Sequence, residues 1–141
     1  MMTVIAWDGK TLAADRQGES GGLKSIVTKI FKLETGEIVG ITGYLSEGLA
    51  TIDWYKNGAK PDDYPISKDS GTSMVVIKDG VIHKYEDHYK PLIIRNSFYA
   101  FGSGRELAIG AMAMGADAEQ EVEIACQYES GCGMGIDVLE P

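Results

Sequence analysis

The sequence predicts an α+β fold in which antiparallel sheets, built from hairpins, are covered by helices. Three observations carry this. Turn signals at Asp8-Gly9, Glu34-Thr35-Gly36 and Asp79-Gly80 each separate two short apolar runs, as in a β-hairpin. Helical periodicity is confined to separate blocks, one over 44–57 and a pair after residue 102. The resulting order, ββ, ββ, α, ββ, β, αα, β, argues against a doubly wound parallel sheet.

The first run, TVIAWDGKTLAAD, folds at Asp8-Gly9 into strands over 3–8 and 10–15. Thr3 and Asp15 stand at equal distances from Gly9, so the ribbon brings them close together. Residues 16–25 are polar and glycine-laden and read as a loop. VTKIFKL and EIVGITG form the second hairpin. In 44–57, Leu45, Leu49, Ile52 and Tyr55 recur at helical spacing, with Trp54 and Tyr55 expected to pack or to meet another subunit. The stretch 57–71, with Pro61, Asp62, Asp63 and Pro65, is loop.

SMVVI and VIHKYE make the third hairpin, with Trp7 of the first placed where that one turns. A loop over 87–96 precedes a short strand, SFYAFG. Ser103 is a natural N-cap for a helix carrying Leu107, Ala111 and Met114 on its inner stripe. A second helix over 118–129 turns Val122, Ala125 and Cys126 inward, and 136–139 is the last strand. A chain of 141 residues, 44% hydrophobic and 24% charged, is long enough to form one domain over 1–141 with a buried core.

A net charge of −8 excludes dependence on neutralising phosphates, so no nucleic-acid partner is expected. No apolar stretch reaches the length of a membrane span, and no basic-then-apolar leader precedes Thr3; a cytoplasmic location without membrane contact is expected. Two cysteines are too few for a secreted disulfide framework. No cofactor or metal is expected. His83 and His88 beside Glu86 and Asp87 fit no ligand spacing. Gly102-Ser103-Gly104-Arg105 lacks the Lys-Ser/Thr pair of a phosphate loop.

The remaining feature is chemical. A threonine near the start of the chain, beside an acid and close to an amino end, has the makings of an N-terminal nucleophile. In this the chain resembles the proteasome-type N-terminal-nucleophile hydrolases, which include proteasome β subunits, HslV and small phage or bacterial relatives. The resemblance covers nearly the whole chain. Thr3 matches the family's nucleophile on the first strand and Asp15 the acid ending the second. The hairpin between them is shorter than usual, but trimming both arms by whole pleats keeps its register. Lys29 in VTKIFKL takes the place of the family's lysine. Gly43 has the spacing of the glycine whose N–H serves as an oxyanion donor. Gly102-Ser103-Gly104 matches the Gly-Ser-Gly before a long helix. The family's Asp-x-x-Ser-Gly appears as Glu129-Ser130-Gly131-Cys132-Gly133, with both functional residue types changed.

The resemblance implies a four-layer αββα sandwich of two antiparallel sheets with helices on the outer faces. It also implies a threonine peptidase in which Thr3 attacks the peptide carbonyl and its own amine acts as base. Lys29 and Asp15 tune that pair, Gly43 faces the oxyanion, and Ser103, Glu129 and Cys132 stand at the positions that support the amino end. Substrate would lie extended between the loop after Asp15, which holds Glu19, and the strand ending at Gly43. Ile41, with Val27, would then line an apolar first pocket. Catalysis requires removal of Met1-Met2, and the form that retains them is expected to be inactive. By the same resemblance the partners are an unfolded polypeptide, further copies in a homo-oligomeric ring, and an AAA+ unfoldase. Two rival readings stay open: a non-catalytic structural or assembly homologue, and an amidase acting on small molecules.

Overall fold

A computed structural model describes residues 3–141. Met1 and Met2, on whose removal the expected chemistry depends, lie outside the described residues. The elements run β1 (Val4–Trp7), β2 (Leu12–Asp15), β3 (Gln17–Ser20), β4 (Leu23–Ile26), β5 (Ile30–Lys32) and β6 (Ile38–Thr42), then helix α1 (Leu45–Lys56). After a 3₁₀ turn at Pro61–Asp63 come β7 (Ser73–Lys78), β8 (Val81–Tyr85), β9 (Leu92–Ile94) and β10 (Tyr99–Gly102). Helices α2 (Arg105–Ala113) and α3 (Ala118–Tyr128) and strand β11 (Ile136–Leu139) complete the chain.

Every recorded strand pair is antiparallel, as the hairpin signals require. One sheet has the order β10-β1-β2-β11, a second β5-β6-β7-β8-β9, and β3-β4 stand as a separate ribbon. β1 and β2 are buried along their whole length, which fits the unbroken apolar runs VIAW and LAA, with Asp15 the one charged residue in the pair. Their pleat divides the side chains. Ile5, Trp7, Leu12 and Ala14 join Ile30, Ile38, Val75, Ile77 and Ile82 of the five-stranded sheet in one cluster. Val4, Ala6, Ala13 and Ala100 point the other way, toward Ala108, Met112, Val122 and Ala125 of α2 and α3. A third cluster packs Val39, Ile41, Met74 and Val76 against Ile52 and Trp54 of α1. No helix among the described residues is long and apolar enough to cross a membrane.

Several local expectations change. The first hairpin does not turn tightly on Asp8-Gly9: Trp7 pairs with Leu12, leaving residues 8–11 as the loop. Asp8 organises it, with Oδ1 accepting from the N–H groups of Lys10 and Thr11 at 2.9 and 2.8 Å. Residues 16–25 are not a loop but contain the β3-β4 hairpin. Among the described residues its strands pair only with each other, and β4 is exposed throughout, so no apolar alternation marks it. The stretch 87–96 contains edge strand β9, whose Leu92 and Ile93 are exposed. The turn at Asp79-Gly80 holds as expected, both residues having positive φ of 52° and 76°.

On α1, Ile52 is buried but Leu49 is exposed, while Trp54 is buried edge-on against Tyr64 and Tyr85. On α2 the inner stripe is Ala108 and Met112, not Leu107 and Met114, which is 89% exposed. The reason lies at the helix start. A Cβ on Gly104 would sit 3.0 Å from Val4, so the backbone rests directly on β1. That contact turns positions 104, 108 and 112 toward the sheet.

Candidate active site

Thr3 directly precedes β1, Asp15 ends β2, and Lys29 directly precedes β5, where its carbonyl accepts from Ile41 N at 2.9 Å. Three chain segments therefore deliver three side chains to one point. Lys29 Nζ lies 2.9 Å from Thr3 Oγ1 and 2.9 and 3.1 Å from the two oxygens of Asp15. Lys29 and Asp15 are fully buried and Thr3 is 1% exposed. Burial pulls the Lys29 pKa below its ordinary 10.5, while the charge and hydrogen bonds of Asp15 work against that shift.

Asp15 is also a junction. Its Oδ1 accepts from Val4 N at 3.2 Å, and its Oδ2 accepts from Gln17 N at 3.1 Å and Gly133 N at 3.2 Å. The carboxylate thus ties β1, β3 and the loop after α3 to the lysine. Gln17 and Gly133 were not anticipated from the sequence. The only signal was the proximity of Gly133 to Cys132 in the Glu129–Gly133 motif.

Ser103 was expected to cap α2. Instead Gly104 is the N-cap residue, with no side-chain cap bond. The hydroxyl of Ser103 is turned to Thr3, accepting from Thr3 N and donating to Thr3 O, both at 3.2 Å. Gly102 stands against the same residue. Its φ of +91° and the 2.2 Å separation between a built Cβ and Thr3 O leave no room for a side chain. Gly102→Ala is expected to lower stability by about 2–3 kcal/mol, read by urea unfolding, with strain and displacement of Thr3 both contributing.

Gly43 follows β6 with φ +90°, and a Cβ there would come within 2.6 Å of Gly71 O. It lines a cleft of about 690 Å³ together with Gly102 and Ser103. Other walls are polar, among them Asp69, Lys84, Glu86 and Arg105. Lys84 pairs with Glu86 at 2.7 Å, and Arg105 Nη1 donates to Gly102 O at 2.9 Å.

The other expected residues are placed as follows. Cys132 is buried in the apolar cluster under α2 and α3, with Sγ donating to Glu129 O at 3.7 Å. Glu129 ends α3 half-buried, and its carboxylate makes no hydrogen bond to Thr3 among the described residues. Ile41 does not look into a substrate pocket. It is fully buried against Gly48 of α1, because the strand alternation that turns Gly40 toward Ile5 turns Ile41 to the helix. Glu19 is exposed on β3 opposite Lys24, and Val27 packs beside Gly18; neither lines the cleft. No group of His, Cys, Asp and Glu among the described residues is arranged to hold a metal ion.

This arrangement coincides with a known chain path. The protein superposes on BPH of Thiobacillus denitrificans with a TM-score of 0.71 and 22% identity, covering 99% of this chain and 98% of that one. BPH in complex with epoxomicin gives 0.70 and 20% identity over 99% and 98% of the two chains. Eukaryotic HslV from Trypanosoma brucei gives 0.70 and 18% identity over the whole of both chains, 100% and 100%. The chain has the HslV fold. No family model and no curated protein matches the sequence. The HslV-like path accounts for the meeting of Thr3, Asp15 and Lys29, since the three depend on strand order and not on sequence neighbours.

Proposed function

We propose that this protein is a proteasome-type threonine peptidase whose nucleophile is the hydroxyl of Thr3, once Thr3 is the first residue. The reading rests above all on the 2.9 Å contact between Lys29 Nζ and Thr3 Oγ1. A free Thr3 amine, with an unperturbed pKa of about 7.7–8.0, takes the hydroxyl proton as Oγ1 attacks the substrate carbonyl. The ammonium of Lys29 stabilises the developing alkoxide, and Asp15 holds that ammonium in place. The N–H of Gly43, at the cleft, receives the oxyanion. Collapse of the tetrahedral species returns the proton to the leaving amine and leaves an acyl ester on Thr3, which water hydrolyses. Ser103 orients the amino end through its two bonds to Thr3.

Four stacked layers, α1, the five-stranded sheet, the four-stranded sheet and α2 with α3, make one domain over 1–141. The three apolar clusters support that stacking. Unfolded polypeptide is the substrate, presented in the cytoplasm to a homo-oligomeric ring served by an AAA+ unfoldase. The polar cleft beside Gly43 and Ser103 replaces the apolar first pocket as the recognition surface.

The test is covalent capture. Protein trimmed to begin at Thr3 is expected to gain the mass of one epoxomicin per chain, mapped to Thr3, while Thr3→Ala and untrimmed protein gain none. Folded, trimmed protein that neither takes the inhibitor nor cleaves peptides would overturn the reading and support the non-catalytic homologue. Turnover of small amides without peptides would support the amidase.

A further inference from the structure

We propose that Thr72 is a positioning residue for peptide hydrolysis, fixing the main chain beside Gly43 so that the Gly43 N–H stays aimed at the oxyanion. Thr72 has this role only if Thr3 is the nucleophile and Gly43 the donor, as proposed above. Gly43 has a φ of +90°, a region in which glycine moves with little steric resistance. An oxyanion donor lowers the barrier only when it is aimed before the reaction begins. The direction of this N–H must therefore be set by the peptides on either side of the glycine.

Thr72 and Ser73, the first residue of β7, clamp both of those peptides. On one side Thr42 pairs with Ser73 in the β6–β7 register, and their hydroxyls share a hydrogen bond. On the other, the N–H of Tyr44 donates to Thr72 Oγ1 at 3.1 Å. Between them the Gly43 backbone rests on the opposite chain, where a Cβ would fall 2.6 Å from both Gly71 O and the Cα of Thr72. Thr42, Thr72 and Ser73 are all buried, so water competes little for these bonds.

Thr72 is itself held. Its N–H donates to Ser70 Oγ at 3.2 Å, and Ser70 Oγ donates to Glu47 Oε1 at 2.6 Å. A hydroxyl-to-carboxylate bond of that length is charge-assisted and strong. Glu47 lies in the first turn of α1, where the helix dipole favours a carboxylate. Tyr44 O accepts from Gly48 N at 3.0 Å in the same turn. Tyr44, Thr72, Ser70 and Glu47 thus close a loop of bonds through the start of α1, directly after Gly43. Gly71, Thr72 and Ser73 also line the cleft with Gly43 and Ser103, so the backbone that fixes the donor borders the bound peptide as well.

The test uses protein beginning at Thr3. Thr72→Val keeps the side-chain shape and removes the acceptor for Tyr44 N–H. It is expected to lower kcat for peptide hydrolysis about 10- to 100-fold with KM within about twofold, because a loosened donor fails the tetrahedral species and not the bound substrate. Thr72→Ser keeps the hydroxyl and is expected to stay within about threefold of the wild-type kcat. Ser70→Ala, one bond further from Gly43, is expected to lose about 3- to 10-fold, and it carries the test if Thr72→Val does not fold. Hydrogen exchange at the Tyr44 amide is expected to quicken in Thr72→Val and not in Thr72→Ser. Wild-type kcat in folded Thr72→Val or Ser70→Ala, a rise in KM alone, or an equal loss in Thr72→Ser would overturn the positioning role and leave the peptidase standing. Wild-type protein beginning at Thr3 that cleaves no peptide would overturn both, whatever the exchange at Tyr44.

Discussion

Lys29→Met is expected to cost about 3–5 kcal/mol of stability and, in protein beginning at Thr3, to lower peptide turnover about 10³-fold. Methionine keeps the length of the side chain and removes only the ammonium, so packing is not the variable. The stability loss follows from what remains: Asp15 stays fully buried with its charge uncompensated by the 2.9 Å ion pair. The three main-chain donors from Val4, Gln17 and Gly133 still hold that carboxylate, which sets the loss near the lower end of the range. Asp15→Ala is expected to be worse, because it strips those three donors as well as the ammonium. The loss in turnover has a separate origin, removal of the cation 2.9 Å from Thr3 Oγ1. Urea unfolding and peptide hydrolysis therefore read two consequences of one substitution. Full turnover in a folded Lys29→Met protein would remove Lys29 from the chemistry.

Stability is expected to fall by up to about 5 kcal/mol as pH rises from 4.5 toward 8, with Glu121 as the source. Glu121 is fully buried on α3, and neither carboxylate oxygen has a hydrogen-bond partner among the described residues. Burial pushes its pKa from 4.5 up to about 8, and the charges of Asp8 and Asp117 push in the same direction. The sign follows from proton counting. Between the two values the folded protein holds the proton and the unfolded chain has released it, so unfolding loses a proton and becomes easier as pH rises. Below 4.5 both states are protonated and this contribution is flat; above about 8 both are ionised and the loss is complete. Glu121→Gln keeps the shape without the titration. It is expected to flatten the urea-unfolding midpoint across this window and to exceed the wild type above pH 8. An unchanged slope in the variant would exonerate Glu121.

Glu121 also shows where sequence reading stops. It lies on the stripe Ala118, Glu121, Val122, Ala125, where helical periodicity calls for an apolar side chain, yet a glutamate on an amphipathic helix reads by default as solvent-facing. The signal was its spacing from Ala118, and only the approach of α3 to the first sheet gives that spacing meaning. The β3-β4 ribbon was hidden for the opposite reason: it has pairing but hardly any apolar face. By contrast, Thr3, Asp15, Lys29 and Ser103 were legible together. Each occupies a strand end or turn whose type the local sequence dictates, and the structure brings their polar atoms within hydrogen-bonding distance.

What the sequence by itself determined is local and periodic. The second and third hairpins, the three helices, and the order in which a threonine, an acid, a lysine and a glycine meet strand ends all follow from turn chemistry and side-chain repeat. Tertiary structure alone decided the face each residue presents. Ile41 went under α1 instead of toward substrate, Ser103 turned to Thr3 instead of capping its helix, and Cys132 was buried in the cluster under α2 and α3. The physical reason is that a repeat specifies which side chains share a face, whereas what that face meets depends on sheets and helices that are distant in the chain.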